Sequence, residues 1–149
     1  MNLNLKEIPL NELYPLIHGV FSLDHDLAAN SQMVRPSAIK MSKRCYHDVI
    51  ALARKFQIKC FAVIYNQQAI GFTVLCYAHN DLLYSFGIDP EYRKKDILLA
   101  WLEVIKAQFN REWYVPLSCN NKRAIAFFEK NGFNNKHIDT KLNQLLLWQ

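Results

Sequence analysis

The chain has 149 residues, of which 51% are hydrophobic, with four glycines and five prolines, and this composition excludes a disordered protein. Its length predicts one folded domain over residues 1–149 with a single core. The 18 Lys and Arg against 13 Asp and Glu give a net charge of +5, which favours anionic partners without distinguishing cofactor phosphates, nucleic acids and acidic proteins. No window offers the roughly 20 apolar residues of a membrane span, so no membrane association is expected.

The N-terminus and the cysteines indicate a cellular compartment. The opening MNLNLKEIPLNEL carries polar and acidic residues throughout and lacks the basic-then-apolar profile of a secretory signal. The four cysteines stand singly, without a C-x-x-C pair or a His at zinc spacing, so neither a disulfide framework nor a metal site is expected. Buried free thiols in a reducing compartment explain them, and we expect a cytoplasmic protein.

The first half of the chain predicts a strand, two helices and a hairpin. LNLKEI, Leu3 to Ile8, alternates apolar and polar residues like a half-buried strand, and a helical pattern follows Pro9. Ser37 is a possible N-cap of a second helix. The apolar positions of that helix recur at three- and four-residue intervals: Ile39, Cys45, Tyr46, Val49, Leu52, Ala53 and Phe56. CFAVIY and AIGFTVLCY, joined by the polar NQQ, predict a hairpin.

The second half predicts four further strands and two helices. DLLYSFGI is a strand, and ILLAWLEVIKAQF predicts a helix with one apolar face. WYVPLSC is a strand, KRAIAFFEKNG is a short helix ended by Gly132, and FNNKHI and LNQLLLWQ form a closing strand pair. The predicted order is β-α-α-β-β-β-α-β-α-β-β, a single α+β domain.

Two segments within this order carry a family resemblance. GIDPEYRKKDILLAWL joins a strand to a helix through a basic turn, and NNKRAIAFFEKNGF forms the short helix near the C-terminus. The first resembles the strand–loop–helix segment of the GNAT superfamily of acyl-coenzyme A-dependent N-acyltransferases, whose loop reads R/Q-x-x-G-x-G/A. The second is similar to the family's N-x-x-A-x-x-(F/L)-Y-x-x-x-G-F helix, which it matches at Asn121, Ala124, Phe127, Gly132 and Phe133.

The resemblance implies a fold and an activity. The fold is a GNAT-like α+β domain, in which a mixed, mostly antiparallel sheet of six or seven strands is flanked by about four helices. The activity is transfer of an acetyl group from acetyl-CoA, acting as co-substrate without a metal, to a primary amine of a small molecule or protein in a ternary complex. The thioester carbonyl would lie between the strands that end at Ile88 and Cys119, polarised by a backbone N–H near Ile88.

The loop expected to hold the pyrophosphate departs from the family pattern. In the family, backbone N–H groups at the helix start hold this anion, and glycines let it approach closely. Arg93 matches the motif's Arg/Gln, but Asp96 replaces its first Gly, Leu98 its second small residue, and Lys94 a frequent Gly. A carboxylate about 4 Å from a phosphate costs about 4 kcal/mol at an effective dielectric of about 20, unless it turns away. Two alternatives are that Asp96 is a helix N-cap and that the loop is a solvated basic turn.

The resemblance assigns ten residues to coenzyme A: Ile88, Arg93, Lys94, Lys95, Asp96, Ile97, Leu98, Asn121, Arg123 and Phe128. Arg93, Lys94 and Lys95 would bind phosphates through their side chains. Asn121 would hydrogen-bond the pantetheine arm, a role compatible with capping the helix that starts near Lys122.

The general acid of the family is missing at its usual position. Many members place a Tyr where this chain has Phe128, which has no proton to give to the departing thiolate. Tyr92 is the candidate substitute, with Tyr77 and Tyr84 as alternatives.

The general base has one candidate in the corresponding strand. Asp81 stands at the start of DLLYSFGI, and His79 nearby has a suitable ordinary pKa. Both residues also suit the turn-like sequence AHND. Cys119 is an alternative nucleophile or groove residue, although a buried thiol explains it equally.

The sequence says less about the acyl acceptor and the oligomeric state than about the fold. The acceptor site would be shaped by the first two helices, by the segment SLDHDLAANSQMVRPS between them and by the hairpin near the C-terminus. Within that segment, Asp24, His25 and Asp26 suit either a cationic amine or an ordinary polar loop. The protein is expected to be a monomer or a homodimer, because the apolar LLLW fits either pairing with another chain or burial in the sheet.

A second function is compatible with the same sequence. The loss of the loop glycines together with the tyrosine hydroxyl fits a catalytically impaired GNAT-like domain that acts as a ligand-binding or regulatory module. Nucleic acid is not an expected partner, because the basic residues are scattered and no recognition motif stands out.

Overall fold

A computed structural model of the chain describes residues 2–23 and 37–149. Asp24, His25 and Asp26 lie outside the described residues. The strands are β1 (Leu3–Ile8), β2 (Gln57–Tyr65), β3 (Gln68–Tyr77), β4 (Asp81–Ile88), β5 (Trp113–Ser118), β6 (Asn135–Asp139) and β7 (Gln144–Trp148). The helices are α1 (Leu13–Leu23), α2 (Ala38–Ala53), α3 (Lys95–Lys106) and α4 (Lys122–Lys130). The predicted element order is therefore confirmed.

The seven strands form one sheet in the order β1-β2-β3-β4-β5-β7-β6. Every neighbouring pair is antiparallel except β4 and β5, which run parallel, so the predicted mixed, mostly antiparallel sheet is confirmed. Because β7 lies between β5 and β6, its Leu145 and Leu147 are buried. Burial in the sheet thus explains the apolar LLLW without a second chain.

The helices cover both faces of the sheet. α1 and α2 pack on one face, where Leu13, Ile17, Val20 and Val49 join a buried cluster that includes Phe72 of β3. α3 and α4 pack on the other face, where the larger cluster is centred on aromatic side chains. This two-sided burial stabilises the sheet, since apolar area removed from water contributes about 25 cal/mol per Å².

Local sequence signals predicted most of the helix and strand boundaries, with one exception in α2. The Ser37 side chain accepts a hydrogen bond from the Lys40 N–H, so the predicted N-cap is confirmed. The apolar face predicted for this helix was too long: α2 ends at Ala53, and Phe56 and Ile39 are 43% and 55% exposed. The three-and-four spacing continues past the helix end, where the chain has already turned toward β2.

The β2–β3 hairpin has a two-residue turn. Asn66 and Gln67 both have positive φ, 49° and 66°, which is the type I′ conformation that matches the twist of the paired strands. The β3–β4 pair is irregular, because its register shifts between Val74 and Leu75 and leaves Tyr84 without a paired partner in the ladder.

The end of α4 is a Schellman motif. The Phe133 N–H donates to the Phe128 carbonyl at 3.0 Å, and the Gly132 N–H donates to the Glu129 carbonyl at 3.3 Å. Gly132 has φ of +94°, which is the left-handed conformation that this cap requires. The rings of Phe128 and Phe133 lie 5.1 Å apart, and this contact anchors the chain as it leaves the helix.

Candidate functional site

β4 and β5 separate soon after they meet. They pair only at Asp81 with Trp113 and Leu82 with Tyr114, after which β4 stays beside β3 while β5 pairs with β7. The remaining length of β4, up to Ile88, therefore faces a gap in the sheet. A gap of this kind leaves backbone hydrogen-bonding groups available inside the protein.

The backbone N–H and carbonyl of Ile88, at the end of β4, point into this gap. The Asp89 N–H donates to the Ile70 carbonyl of the β3 side at 2.7 Å. Backbone groups of successive residues in a strand alternate in direction, so the N–H and carbonyl of Ile88 point the other way, toward the gap. In agreement, the Ile88 carbonyl accepts a hydrogen bond of 2.8 Å from Nε of Arg93, which ties the following turn to the strand.

A cavity of about 200 Å³ lies where the gap meets both helical layers. Its polar lining consists of Arg93, Asn121 and Arg123, and no carboxylate lines it among the described residues. Its apolar lining comes from α1, α2, β4, α3 and α4: Val20, Phe21, Met41, Phe86, Gly87, Ile88, Leu98, Trp101, Ala124, Phe127 and Phe128. The cavity can therefore hold a molecule with an anionic part at its polar end and an apolar part within.

The start of α3 borders the cavity. The helix begins at Lys95 with Lys94 as its N-cap, and no side chain caps it. Its first intrahelical bond runs from the Leu98 N–H to the Lys94 carbonyl at 2.9 Å, so the earlier N–H groups of the turn point out of the helix end. This is the arrangement that binds anions at helix N-termini.

The alternative that Asp96 is the N-cap of α3 is wrong. Asp96 is the second residue of the helix, because the helix begins one residue before it. Asp96 is exposed and lines a separate hollow with other residues: Tyr65, Glu91, Tyr92, Lys94 and Ile97. Leu98, in contrast, lines the cavity. An acidic residue in the first turn of a helix is favourable to the helix dipole, which accounts for Asp96 at this position.

Asn121 and Arg123 lie at the other rim of the cavity, at the start of α4. Asn121 is the N-cap, and its Oδ1 accepts a hydrogen bond of 3.2 Å from the Ala124 N–H, so the predicted capping role is confirmed. This leaves the amide NH₂ group of Asn121 as a donor at the cavity rim. Arg123 is exposed and lines the cavity beside it.

The inner wall of the cavity is aromatic and rigid. Phe128 is fully buried, and its ring lies 5.8 Å from that of Phe86 and 6.3 Å from that of Trp101. The Trp101 Nε1–H donates to Oγ1 of Thr73 on β3 at 3.1 Å, so the one polar group of the indole is satisfied. Position 128 therefore presents a ring without a hydroxyl to the cavity.

The two candidate catalytic side chains do not lie at this cavity. Asp81 is at the other end of β4, about 23 Å from Ile88 at strand spacing. Arg111 holds the Asp81 carboxylate with two hydrogen bonds of 2.9 Å, and this bonding lowers the pKa of Asp81 despite its burial. The Tyr92 hydroxyl donates to Oε1 of Gln68 at 3.2 Å and faces the hollow that contains Asp96.

The alternative candidates also have other contacts. The Tyr77 hydroxyl donates to the Gln108 carbonyl at 3.4 Å, and burial raises the pKa of Tyr84. His79 is exposed in the turn before β4, and Cys119 is half-buried after β5. The general acid and base thus remain predictions without a side chain placed for either role.

The first two helices were expected to shape the acceptor site, but their individual cavity-lining residues were not predicted. Val20, Phe21 and Met41 come from the part of the chain where the family resemblance was one of pattern alone, so no signal pointed to them. Trp101 and Phe127 were recognisable, since each lies three residues after another cavity-lining residue of its helix, Leu98 and Ala124 respectively.

Two further properties concern the described part of the chain. No group of three or more His, Cys, Asp and Glu side chains there is arranged to hold a metal ion. None of its helices has the length and hydrophobicity needed to cross a bilayer.

Comparison with known proteins identifies the family to which this fold belongs. The model of the acetyltransferase (GNAT) family matches residues 28–133, and the chain belongs to this family. No protein with a curated description matches the sequence.

Solved structures share the fold over the whole chain. An acetyltransferase from Thermus thermophilus has a TM-score of 0.77 at 20% identity, covering 100% of this chain and 97% of that one. The PaiA N-acetyltransferase of Thermoplasma acidophilum, in complex with coenzyme A, gives 0.67 at 15% identity, covering 100% and 99%. The Salmonella typhimurium acetyl transferase that modifies the N-terminal serine of ribosomal protein L7/L12 gives 0.66 at 12% identity, covering 98% and 92%.

Proposed function

We propose that the protein transfers an acetyl group from acetyl-CoA to a primary amine in a ternary complex. The observation that carries this proposal is that Asp96 and the cavity lie on different sides of the α3 N-terminus. Arg93 and Leu98 face the cavity, whereas Asp96 faces a different hollow. The main electrostatic obstacle to binding a pyrophosphate at this helix is therefore displaced from the anion's position.

The chemistry of the cavity lining suits parts of coenzyme A. The pyrophosphate is held by the first-turn N–H groups of α3, with Arg93 and Arg123 adding positive charge. The pantetheine arm extends along β4, where Asn121 donates a hydrogen bond, and Leu98 narrows the passage without closing it. Lys94 and Lys95 contribute charge to the outer side of the loop, and Ile97 anchors the helix in the core.

The chemical step uses the backbone of β4. The neutral amine nitrogen forms a bond to the thioester carbonyl carbon, and the Ile88 N–H donates to the developing oxyanion in the gap. The C–S bond then breaks, and the coenzyme leaves as a thiol with the proton that the amine loses. Water carries this proton, since Phe128 has no hydroxyl and neither Asp81 nor Tyr92 faces the cavity. The four free cysteines in the described part of the chain support a reducing, cytoplasmic location.

One observation favours the second candidate, an impaired domain that binds a ligand without turnover. The position of the family's tyrosine is occupied by the fully buried Phe128, enclosed by other aromatic rings. Without a positioned general acid, the rate falls by a typical factor of 10²–10⁴.

Release of the coenzyme A thiol separates the two candidates. Acetyl-CoA is incubated with a panel of primary amines, and thiol release is followed with a chromogenic thiol reagent while mass spectrometry detects the acetylated amine. The proposal predicts amine-dependent release that is lost in Arg123→Glu and retained in Lys141→Glu, an equal charge change on the β6–β7 turn. Binding of acetyl-CoA without release for any amine would favour the impaired domain.

A further inference from the structure

The outer face of α2 is basic. A spacing of 3.6 residues per turn collects six exposed positions on an arc of about 100°, opposite the buried Ser42 and Val49. Those positions are Lys40, Lys43, Arg44, His47, Ala51 and Arg54. Asp48, the one acid of the helix, lies about 40° beyond Arg44 and so outside this arc. The sequence analysis treated the basic residues as scattered, but the helix brings four permanent cations to one side.

This charge pattern is unfavourable for the isolated helix. Lys40 and Arg44 stand four residues apart, and Lys40 and Lys43 three apart, so like charges face each other. Lys40 also lies in the first turn, where the helix dipole disfavours a cation and where no acidic residue compensates. None of the four cations forms an ion pair with the described residues, whereas Lys106 of α3 pairs with Glu103 at 3.7 Å.

The basic face begins next to a residue of the cavity wall. Met41, next to Lys40, lines the cavity between the two helical layers. From Lys40 to Arg54 the face extends for about 21 Å, which is the length of about six residues of extended polypeptide. A chain that places its amine in the cavity therefore has room to lie along α2.

We propose that the outer face of α2 is a docking surface for an acidic polypeptide, and that this polypeptide is the acyl acceptor. The role of the polypeptide as acyl acceptor rests on the proposed function. Its binding to α2 does not require turnover. Acidic side chains over about six residues neutralise the four cations, and the free amine enters the cavity beside Met41. A polypeptide fits better than a lipid surface or a nucleic acid, because the face is a single narrow stripe that begins beside the cavity.

The test uses two fluorescein-labelled peptides with a free α-amine, one containing about six glutamates and the other glutamines at the same positions. Fluorescence anisotropy measures their binding to the full chain, with no acetyl-CoA needed. We expect the glutamate peptide to bind, the glutamine peptide to bind at least about tenfold more weakly, and the affinity to fall with salt.

Charge reversal on α2 is the decisive variant. Lys40→Glu combined with Arg44→Glu should weaken glutamate-peptide binding at least about tenfold, while Lys136→Glu combined with Lys141→Glu, the same change on β6 and its turn, should not. Lys40→Glu alone turns the repulsion of residue 40 by Lys43 and Arg44 into attraction and removes a cation from the first turn, so this single variant should raise Tm by about 3 °C. The double variant should keep a Tm close to that of the unmodified chain, whereas misfolding would lower its Tm, so the two causes of lost peptide binding are separated.

Turnover measurements test the docking proposal independently. With a small amine that carries no carboxylate as acceptor, the α2 variant should have the same kcat/KM as the unmodified chain. Its kcat/KM for the glutamate peptide should fall at least about tenfold. Peptide binding without any turnover would overturn the proposed acetyl transfer and leave the docking surface intact. Equal binding of the peptide to both variants, or tighter binding of duplex DNA or anionic vesicles than of the peptide, would overturn the docking proposal.

Discussion

Asp81 and Arg111 form an ion pair with two parallel hydrogen bonds at the point where β4 and β5 meet. Nε and Nη2 of Arg111 each lie 2.9 Å from a different carboxylate oxygen, and Nη2 also donates to the Ala78 carbonyl at 2.6 Å. Asp81 faces Trp113 across the parallel strand pair. The pair therefore braces the closed end of the gap whose open end holds the cavity.

Asp81→Asn is expected to lower stability by about 2 kcal/mol, because hydrogen bonds to a charged partner are lost at a buried position. Below its Tm, kcat should stay within a factor of about two. Thermal unfolding and steady-state kinetics at one temperature measure both effects. A large loss of kcat together with loss of the acidic limb of the pH profile would instead establish Asp81 as the general base.

The same pair predicts an acid-dependent loss of stability. Arg111 holds the pKa of Asp81 below its ordinary value, so the carboxylate binds a proton less readily in the folded than in the unfolded chain. The stabilisation is complete above the unfolded pKa of about 3.9 and is lost as the pH falls through the folded pKa. Urea unfolding between about pH 6 and pH 2 should show this slope in the unmodified chain and a smaller slope in Asp81→Asn.

Gly132→Ala tests the Schellman end of α4. An added Cβ has room, with its nearest neighbour 3.5 Å away, so the whole effect comes from the positive φ. We expect a loss of about 1 kcal/mol of unfolding free energy in urea denaturation. Gly19→Ala in α1 is the matched control: nothing lies within 4 Å of its Cβ, and it should stabilise the helix by about 0.5 to 1 kcal/mol. Equal effects at the two sites would contradict the assigned cap.

Thr73→Val tests the hydrogen bond that fixes the aromatic wall. The substitution preserves shape but leaves the buried Trp101 Nε1–H without its acceptor, so unfolding free energy should fall by about 2 kcal/mol. Thr140→Val, at the exposed β6–β7 turn, should change it by less than about 0.5 kcal/mol. If Trp101→Phe removes the effect of the valine in a double-mutant cycle, the coupling belongs to this bond.

Phe128→Tyr tests the missing general acid. The variant adds a hydroxyl to a ring that lines the cavity, and we expect turnover to rise at least about tenfold with acetyl-CoA affinity unchanged. Phe133→Tyr is the control, since Phe133 is equally buried but is not among the cavity-lining residues. Unchanged turnover in a folded, coenzyme-binding Phe128→Tyr protein would count against proton transfer from this position.

The sequence predicted those features that depend on neighbouring residues. Ser37 caps α2 and Gly132 ends α4 because each acts on backbone groups within four residues of itself. The order of strands and helices along the chain followed from turn residues and apolar runs in the same way. The basic face of α2 was also within reach, since it requires only helical spacing.

Features that depend on sheet register were not predictable. Arg111 reaches Asp81 from 30 positions away, because β5 happens to begin beside the start of β4. Likewise, the direction of Asp96 depends on where α3 begins, and one residue of difference rotates a side chain by about 100°. For that reason the loop sequence alone left its anion-binding capacity open.

Asp96→Asn tests the anion-binding capacity of the loop before α3. Since the carboxylate faces away from the cavity, affinity for acetyl-CoA should change by less than about threefold. A gain of more than about tenfold in a calorimetric titration would mean that the charge of Asp96 acts on the bound phosphates.

If the N-terminus of α3 binds the pyrophosphate of acetyl-CoA, isothermal titration of the unmodified chain with acetyl-CoA should detect this binding. We expect saturable one-site binding with a micromolar Kd, at least about tenfold tighter than that of acetyl-pantetheine, which lacks the pyrophosphate. No heat of binding at millimolar acetyl-CoA, or equal affinity for the two compounds, would contradict it.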